Sequence, residues 1–232
     1  MIVGNCNYIG NRDFDNPIII LGIPRSGTSL LAGLWSLTGI WTGPTTPPSI
    51  NNIKGFFENR EIRDKSTYKI LRDNGYCTRG QNPIPQPDDV LKSQFDLHNS
   101  IMTMAQVQGY TEGPWMFKNA KITLMWKLWY DMFPKAEYFI TKRRDEDIIK
   151  SCLKTNFMNM YQDRKGWQGW IDTHYEHLDN FKKTDAKIHE IDTSELAHGN
   201  ITEFVELIYD LGFELPLDKA KEFIVPEAWN GV

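Results

Sequence analysis

The chain has 232 residues and a formal net charge of −4, so it carries no general excess of positive charge. This balance argues against nucleic acid as a partner, and it requires any anion site to be locally basic. The three cysteines, Cys6, Cys77 and Cys152, are odd in number and widely spaced, which predicts neither a disulfide framework nor a metal site. We therefore expect a reduced, cytoplasmic setting. No apolar stretch is long enough to predict a membrane span.

The length fits one α/β domain that extends over residues 1–232, with polar residues 1–16 as a short lead-in. Residues 18–21 form an apolar run rich in β-branched side chains, which is typical of a strand buried on both faces. A glycine-containing loop over residues 22–29 ends the run, and residues 30–37 repeat apolar side chains at helical spacing. A strand, loop and helix in this order direct backbone N–H groups and the positive end of a helix dipole at one point. That arrangement suits a phosphate or sulfate.

From Gly22 the loop reads G-x-x-x-x-G-T-S, which is the spacing of an ATP-binding P-loop with Thr28 in place of its lysine. That lysine normally holds the β- and γ-phosphates of a nucleoside triphosphate, so its absence argues against ATP chemistry. The basic residue stands three positions earlier, at Arg25. An ordinary strand-to-helix turn with a capping serine is the structural alternative to an anion site.

The string Pro24-Arg25-Ser26-Gly27-Thr28-Ser29 resembles the 5′-phosphosulfate loop of the sulfotransferases that use 3′-phosphoadenosine 5′-phosphosulfate (PAPS). The resemblance implies a P-loop-like architecture of three layers around a central parallel sheet. It also implies that Arg25, Ser26, Gly27, Thr28 and Ser29 bind the 5′ end of the donor.

After a proline-rich loop over residues 43–52, a helix is predicted to begin near Phe57, with Ile62, Tyr68, Ile70 and Leu71 as core contacts. Residues 74–87 form a second loop that ends in Asn-Pro-Ile-Pro-Gln-Pro. A loop of this length is either a lid or binding element, or a disordered surface excursion. A helix is predicted to follow over residues 88–108.

Strands are predicted over residues 115–118, 137–141 and 187–191, and helices over residues 122–132 and from Asp145. Strands that alternate with helices indicate parallel βαβ units with right-handed crossovers. The pattern therefore predicts the same fold class as the resemblance, a parallel sheet covered by helices.

The second nucleotide signature of sulfotransferases is an arginine at a strand end, with a serine eight residues later. Arg143 and Ser151 have this spacing. A guanidinium matches phosphate oxygens with charged donors, and a hydroxyl one to two helical turns later adds a neutral donor. The resemblance implies that both bind the 3′-phosphate. The alternative is a solvated basic triplet, Lys142 to Arg144, paired with the acidic triplet that follows it.

Many sulfotransferases carry a lysine at the end of the strand that precedes this signature, and Lys118 occupies that place. The resemblance implies that Lys118, together with Arg25, stabilises the charge that develops as the S–O bond breaks. A strand-end surface lysine is the simpler alternative.

The cytosolic small-molecule branch adds a histidine two residues after that lysine, whereas this chain reads Lys118-Asn119-Ala120. The bacterial or the carbohydrate and tyrosylprotein branches are therefore the better match. In the latter, a glutamate after the first helix is the base, and Glu58 is preferred here because Phe56 and Phe57 can desolvate it and raise its pKa. Glu61 is the second choice. The alternative for Glu58 is a helix N-terminal carboxylate.

Two further patterns are less specific. The string Arg164-Lys165-Gly166-Trp167 is similar to a 3′-phosphate element of cytosolic sulfotransferases, but it lies too early in the chain. Its helix is expected to pack through Trp167, Trp170, Tyr175 and Leu178, with a tryptophan at its start lining the cleft. His174 and His177 lie one helical turn apart without a third ligand, so we expect exposed residues rather than a metal pair.

The resemblance implies transfer of a sulfuryl group from PAPS to an acceptor hydroxyl or amine, with release of 3′-phosphoadenosine 5′-phosphate (PAP) and no metal. Sugar, lipid, small alcohol and tyrosine acceptors all stay open, with an acceptor pocket formed by the loops at 43–52 and 75–87. Two alternatives are a P-loop nucleotide kinase and a PAP- or PAPS-binding protein without activity.

Overall fold

The computed structural model describes residue 8, residues 12–50 and residues 52–225. Most of the predicted lead-in, as well as Cys6, lies outside these residues. The strands are β1 (Ile18–Gly22), β2 (Met116–Lys118), β3 (Glu137–Lys142) and β4 (Lys187–Asp192). The α-helices are α1 (Thr28–Ser36), α2 (Arg60–Ile62), α3 (Lys69–Asp73), α4 (Leu97–Val107), α5 (Trp126–Met132), α6 (Asp145–Lys154), α7 (Arg164–Phe181), α8 (Thr193–Ala197), α9 (Thr202–Asp210) and α10 (Leu217–Phe223).

Within the described part of the chain, the four strands form one parallel sheet in the order β2-β1-β3-β4. Ile20 of β1 stands beside Lys118 of β2, and Gly22 stands beside Thr141 of β3. The carboxyl ends of β1, β2 and β3 therefore meet at one edge of the sheet. In parallel sheets this edge is where ligands bind.

Helices cover both faces of the sheet, as the three-layer prediction requires. Side chains along β1 alternate between the two faces, so Ile19 and Leu21 pack into one core cluster while Ile18 and Ile20 pack into the other. The first cluster contains buried side chains of α4 to α7, including Trp129. The second contains side chains of α1 and of the C-terminal helices. The predicted α/β class with a central parallel sheet is confirmed.

Some predicted helix bounds were wrong. The helix predicted over residues 88–108 begins only at Leu97, because the side chain of Asp96 caps it by accepting the N–H of Asn99 at 3.0 Å. The helix predicted over residues 122–132 consists of a 3₁₀-helix, Ala120–Met125, followed by α5.

The helix predicted from Phe57 begins at Arg60 and is interrupted by a π-helix, Arg63–Tyr68, between α2 and α3. Ile62, Ile70 and Leu71 are fully buried, as predicted. Tyr68 is not a core residue, because the π-helical turn directs its ring into a cleft.

The loop at residues 74–87 is packed against the body of the protein. Gln81 is buried and donates to the carbonyl of Phe157 at 2.7 Å, while its own carbonyl accepts the N–H of Met160 at 3.1 Å. Trp170 of α7 donates to the carbonyl of Gly80 at 2.8 Å. Of the two alternatives for this loop, the disordered surface excursion is therefore wrong.

The prediction that His174 and His177 are exposed was also wrong. His174 Nδ1 bonds to the Trp170 carbonyl at 2.8 Å, and His177 Nε2 bonds to the Pro85 carbonyl at 3.0 Å; both side chains are buried. Burial lowers the pKa of His174 to about 3. His177 therefore links α7 to the loop, whereas the hydrogen bond of His174 stays within α7.

The remaining predictions for α7 concern the side chains through which it packs, and only some of them were correct. Trp167, Trp170 and Leu178 are buried, as predicted, but Tyr175 is 36% exposed, and Trp167 lies in the core rather than in the cleft. No helix among the described residues is long and apolar enough to cross a bilayer. In the same residues, no cluster of histidine, cysteine and acidic side chains has a geometry that fits a metal ion.

Candidate active site

A cleft of about 920 Å³ opens at the carboxyl ends of β1, β2 and β3. Its walls include the loop after β1, the end of β2 and the residue that follows β3. Of the predicted site residues, those that line it are Arg25, Gly27, Thr28, Ser29, Glu58, Lys118 and Arg143. The fold therefore brings together residues from four separate parts of the chain. Ser26 and Ser151 lie just behind the wall, where each is almost fully buried.

The loop after β1 is held by side chains from strand β3 and from the start of helix α8. Ser26 Oγ lies 2.5 Å from Thr141 Oγ1, and the Ser26 N–H donates to the carbonyl of Ile23 at 3.0 Å. Thr193 Oγ1 donates to the carbonyl of Ser26 at 2.7 Å. The hydrogen bonds of Ser26 thus fix the conformation of the loop. The residues that follow Ser26, namely Gly27, Thr28 and Ser29, line the cleft.

Helix α1 starts in this loop without a side-chain cap. Gly27 precedes it with a positive φ of 90°, and a Cβ atom at this position would lie 2.5 Å from Thr193 Oγ1. Only glycine combines that backbone conformation with such close packing. Thr28 and Ser29, whose N–H groups have no partner within the helix, line the cleft, and N–H groups at the start of a helix are suited to binding phosphate.

The two predicted nucleotide signatures are in direct contact. Arg25 Nε donates to Ser151 Oγ at 2.9 Å, and Arg143 Nη1 donates to the main-chain carbonyl of Arg25 at 3.0 Å. Arg25 has a positive φ of 75°, which is unusual for a residue with a side chain. Burial lowers the pKa of Arg25, and the nearby positive charge of Arg143 lowers it further. Two crowded guanidinium groups of this kind provide strong attraction for a polyanion.

Lys118 and Glu58 form a buried ion pair on the other side of the loop. Lys118 Nζ lies 3.0 Å from Glu58 Oε1, and the same ammonium donates to Ser29 Oγ and to the carbonyl of Phe56, each at 3.2 Å. The ammonium thus touches both the predicted base and the first turn of α1. The alternative of a strand-end surface lysine is wrong.

The direction of the Glu58 pKa shift differs from the sequence prediction. Burial does act to raise the pKa, but the charges of Lys118, Lys121 and Arg63, together with the hydrogen bond from Lys118, lower it overall. Arg63 Nη1 lies 3.5 Å from Glu58 Oε2. Glu58 is therefore ionised at neutral pH and able to accept a proton. Burial also lowers the pKa of Lys118, although Glu58 opposes this shift.

Glu61, the second choice for the base, does not line the cleft. Its Oε1 accepts from Lys65 at 2.6 Å and its Oε2 from Gln108 at 2.9 Å on the outer side of the helix. Between the two glutamates, the geometry therefore favours Glu58.

The similarity of residues 164–167 to a phosphate-binding element has no counterpart at this cleft. Arg164 pairs with Glu146, and Lys165 and Gly166 line a separate, smaller pocket beside α7. By contrast, Arg79 of the loop at residues 74–87 does line the main cleft, as do Thr46 and Ile50 of the loop at 43–52. Both loops therefore contribute to the region predicted to hold the acceptor.

Several residues that shape the site were missed by sequence reasoning. Thr123 Oγ1 accepts the N–H of Gly22 at 3.1 Å and donates to the Gly22 carbonyl at 3.0 Å. Thr141 and Thr193 fix the loop after β1, as described above. A threonine at a strand end or in a helical turn carries no distinctive local signal. Only the sheet order, which brings these segments together, could have identified them.

The chain is similar to known proteins in sequence and in fold. The chain matches the model of a sulfotransferase family over residues 17–211. No curated protein matches the sequence.

The similar solved structures include the sulfotransferase domain of the Synechococcus PCC 7002 olefin synthase, with 15% identity and a TM-score of 0.59, covering 94% of this chain and 88% of that one. The sulfotransferase domain of the curacin biosynthetic pathway has 12% identity and a TM-score of 0.52, and the match covers 94% of this chain and 83% of that one. A sulfotransferase from Mycobacterium avium has 14% identity and a TM-score of 0.51, and the match covers 90% of this chain and 66% of that one. At these identities the three structures establish the fold, and the family model, which spans most of the sequence, establishes that the chain belongs to the sulfotransferase family.

Proposed function

We propose that this protein transfers a sulfuryl group from PAPS to an acceptor hydroxyl or amine and releases PAP. The observation that carries this proposal is the meeting of three features in one cleft: the uncapped start of α1, the Arg25–Arg143 pair, and the buried Lys118–Glu58 pair. The start of α1 suits the 5′-phosphate of the donor, the arginine pair suits a polyanion, and the Lys118–Glu58 pair supplies a proton acceptor.

The residues present fit the donor. The N–H groups of Gly27, Thr28 and Ser29 surround the start of α1 and suit the 5′-phosphate. Arg143 is proposed to bind the 3′-phosphate. Ser151, which accepts a hydrogen bond from Arg25, is proposed to act with these arginines at the same edge. The positive charge comes from side chains, so the proposal invokes no metal.

The donor supplies a sulfur atom whose bond to the phosphate oxygen breaks as the acceptor oxygen attacks in line. Lys118 and Arg25 stabilise the negative charge that develops on the departing oxygen. Glu58, held ionised by its cationic neighbours, accepts the proton of the acceptor. Lys118 contacts both Glu58 and Ser29, so the base and the phosphate loop share one fixed cation.

The two alternatives are less well supported. A nucleotide kinase would need a loop lysine where Thr28 stands, and Thr28 begins α1 with no basic side chain at that point. A protein that binds PAP without activity is favoured by the missing Lys-x-His histidine. The ionised, buried Glu58 beside Lys118 supports an active site instead.

Binding tests separate the kinase from the sulfotransferase. We expect a larger thermal shift with PAP than with ATP and magnesium, because PAP carries the 3′-phosphate for which Arg143 is proposed. An equal or larger shift with ATP and magnesium would favour the kinase.

Transfer from labelled PAPS separates the active protein from the inactive one. Glu58→Gln should abolish sulfuryl transfer, or the slow hydrolysis of PAPS, and should retain the thermal shift with PAP. The retained shift would also show that the variant is folded. Glu61→Gln is the matched control, because Glu61 lies three residues away and outside the cleft. Activity that survives in Glu58→Gln would rule out Glu58 as the base.

A further inference from the structure

The cleft contains more positive charge than the proposed donor site uses. Arg25, Lys118 and Arg143 are assigned to the donor, yet Lys121 and Arg79 also line the cleft. Neither of these two side chains forms an ion pair with any residue that the structure describes. Arg63 also lines this region and is shared between Glu58 and Asp64. We call Arg63, Lys121 and Arg79 the basic wall.

One aromatic ring contacts two members of the basic wall. Lys121 Nζ lies 5.0 Å from the centre of the Tyr68 ring, and Arg63 Cζ lies 4.8 Å from it. The π-helix makes this possible, because its i→i+5 pairing stacks Tyr68 on Arg63, whereas 3.6 residues per turn would place residues five apart on different faces. π-Helical turns occur often at functional sites.

Arg79 reaches the same wall from the loop at residues 74–87. The side-chain stem of Lys121 packs against Gly80, where a Cβ atom would lie 3.2 Å from Lys121 Cγ. Because Gly80 is tied to α7 through Trp170, the position of Arg79 is set by the packed body of the protein. Arg79 is exposed and lines the cleft.

The basic wall adjoins the proposed base. Arg63 Nη1 lies 3.5 Å from Glu58 Oε2, and Lys121 is close enough to lower the pKa of Glu58. Apolar side chains complete this end of the cleft: Ile50 and Ile53 are 92% and 60% exposed, and Phe157 also lines it. An acceptor bound here would meet a proton acceptor, an apolar surface and two cations that form no ion pair within the described part of the chain.

We propose that the acceptor carries an anionic group, a carboxylate, phosphate or sulfate, which Lys121 and Arg79 bind while its hydroxyl faces Glu58. This inference rests on the proposed function and narrows its substrate class. It adds no step to the reaction. The acceptor oxygen still forms the new O–S bond, and its proton still passes to Glu58.

Matched acid and ester probes test the proposal. Protein saturated with PAP is titrated calorimetrically with 4-(hydroxymethyl)benzoate, 3-(hydroxymethyl)benzoate and 10-hydroxydecanoate, and with the methyl ester of each. Saturation with PAP fills the donor's anion sites, so any preference for the acid reports a second site. At least one acid should bind about tenfold more tightly than its ester, because charge-assisted hydrogen bonds are the stronger kind.

Variants locate the preference. The double variant Lys121→Met/Arg79→Gln should bind acid and ester equally, whereas Lys135→Met/Arg72→Gln, at exposed positions outside the cleft, should keep the preference. Equal or unmeasurable binding of every acid and its ester to the unsubstituted protein would overturn the inference. A preference that persists in Lys121→Met/Arg79→Gln would also overturn it. Failure of PAP itself to bind would instead contradict the proposed function, so the two failures are distinguishable.

Discussion

Lys118 Nζ lies 3.0 Å from Glu58 Oε1, although the two residues are 60 positions apart in the chain. Their side chains are only 4% and 9% exposed. A buried ion pair is expensive to desolvate, and removal of one partner leaves an uncompensated charge. The same contact therefore controls both the folding stability of the protein and the charge state of its proposed base.

A double-mutant cycle measures this contact. Glu58→Gln should lower the free energy of unfolding by about 3–5 kcal/mol, since it leaves the Lys118 ammonium buried without its carboxylate. The double variant Glu58→Gln/Lys118→Met should lose clearly less unfolding free energy than the sum of the losses in Glu58→Gln and Lys118→Met alone. Denaturant unfolding of the four proteins provides the measurement. Additive losses would show that the pair contributes no coupling.

The assignment of Arg143 to a 3′-phosphate predicts a selective loss of affinity. Arg143→Met should weaken PAP binding about ten- to a hundredfold and leave adenosine 5′-phosphate, which lacks the 3′ group, nearly unchanged. Titration calorimetry with both nucleotides tests this. Arg144→Met is the control, because Arg144 is the adjacent residue, mostly exposed and paired with Asp147. A selective effect of Arg144→Met instead of Arg143→Met would reverse the assignment.

Gly27 should tolerate no side chain, for two separable reasons. Its φ of 90° strains any other residue, and a Cβ would clash with Thr193. Gly199 has a similar φ of 86° with open space around it, so Gly199→Ala measures the strain alone. We expect Gly199→Ala to cost about 1–2 kcal/mol of unfolding free energy and Gly27→Ala about 1–3 kcal/mol more. Equal losses would mean that the contact with Thr193 relaxes freely.

Glu137 should give part of the stability a pH dependence. Burial acts to raise its pKa, but the hydrogen bond from His189 Nε2 at 2.8 Å and the charges of Lys187 and Arg12 lower it overall. A carboxyl group whose pKa is lower in the folded state stabilises the fold above its unfolded pKa of about 4.3 and loses that contribution as pH falls through the folded value.

Comparison with Glu137→Gln therefore tests this linkage. The variant should be about 1–3 kcal/mol less stable at neutral pH, and the difference should shrink as the pH falls below about 4.3. Denaturant unfolding at several pH values is the measurement. Glu190→Gln, on the neighbouring strand in a half-exposed pair with Lys182, should show little difference at any pH. A Glu137→Gln difference that grows in acid would contradict the sign of the shift.

The parts of the fold that follow from local pattern were predictable. The apolar run of β1 and the glycine loop after it are contiguous in the sequence, as are β3 and the residues around Arg143. The start of α4 was missed because the cap at Asp96 competes with an apolar pattern that continues through residues 88–96. Helix propensity alone does not decide between these two signals.

The remaining features depend on contacts between distant residues. Thr193 reaches Ser26 across 167 positions, and His177 meets Pro85 across 92. The π-helix that turns Tyr68 toward the cleft has no sequence signature that we could use. The sequence therefore predicts which residues can bind anions, whereas the sheet order and the packing of α7 decide which of them meet.

Thr123 bonds to both the N–H and the carbonyl of Gly22, and the Asn119 N–H donates to the carbonyl of Ile20 at 3.1 Å. These bonds connect the segment that follows Lys118 of β2 to the end of β1, so they help to hold Lys118 in place beside the loop after β1. Ile50 and Ile53, by contrast, line the same cleft with side chains that are 92% and 60% exposed. An acceptor with an apolar part that covers these two isoleucines would gain affinity from removing their side chains from water, which an entirely polar acceptor would not.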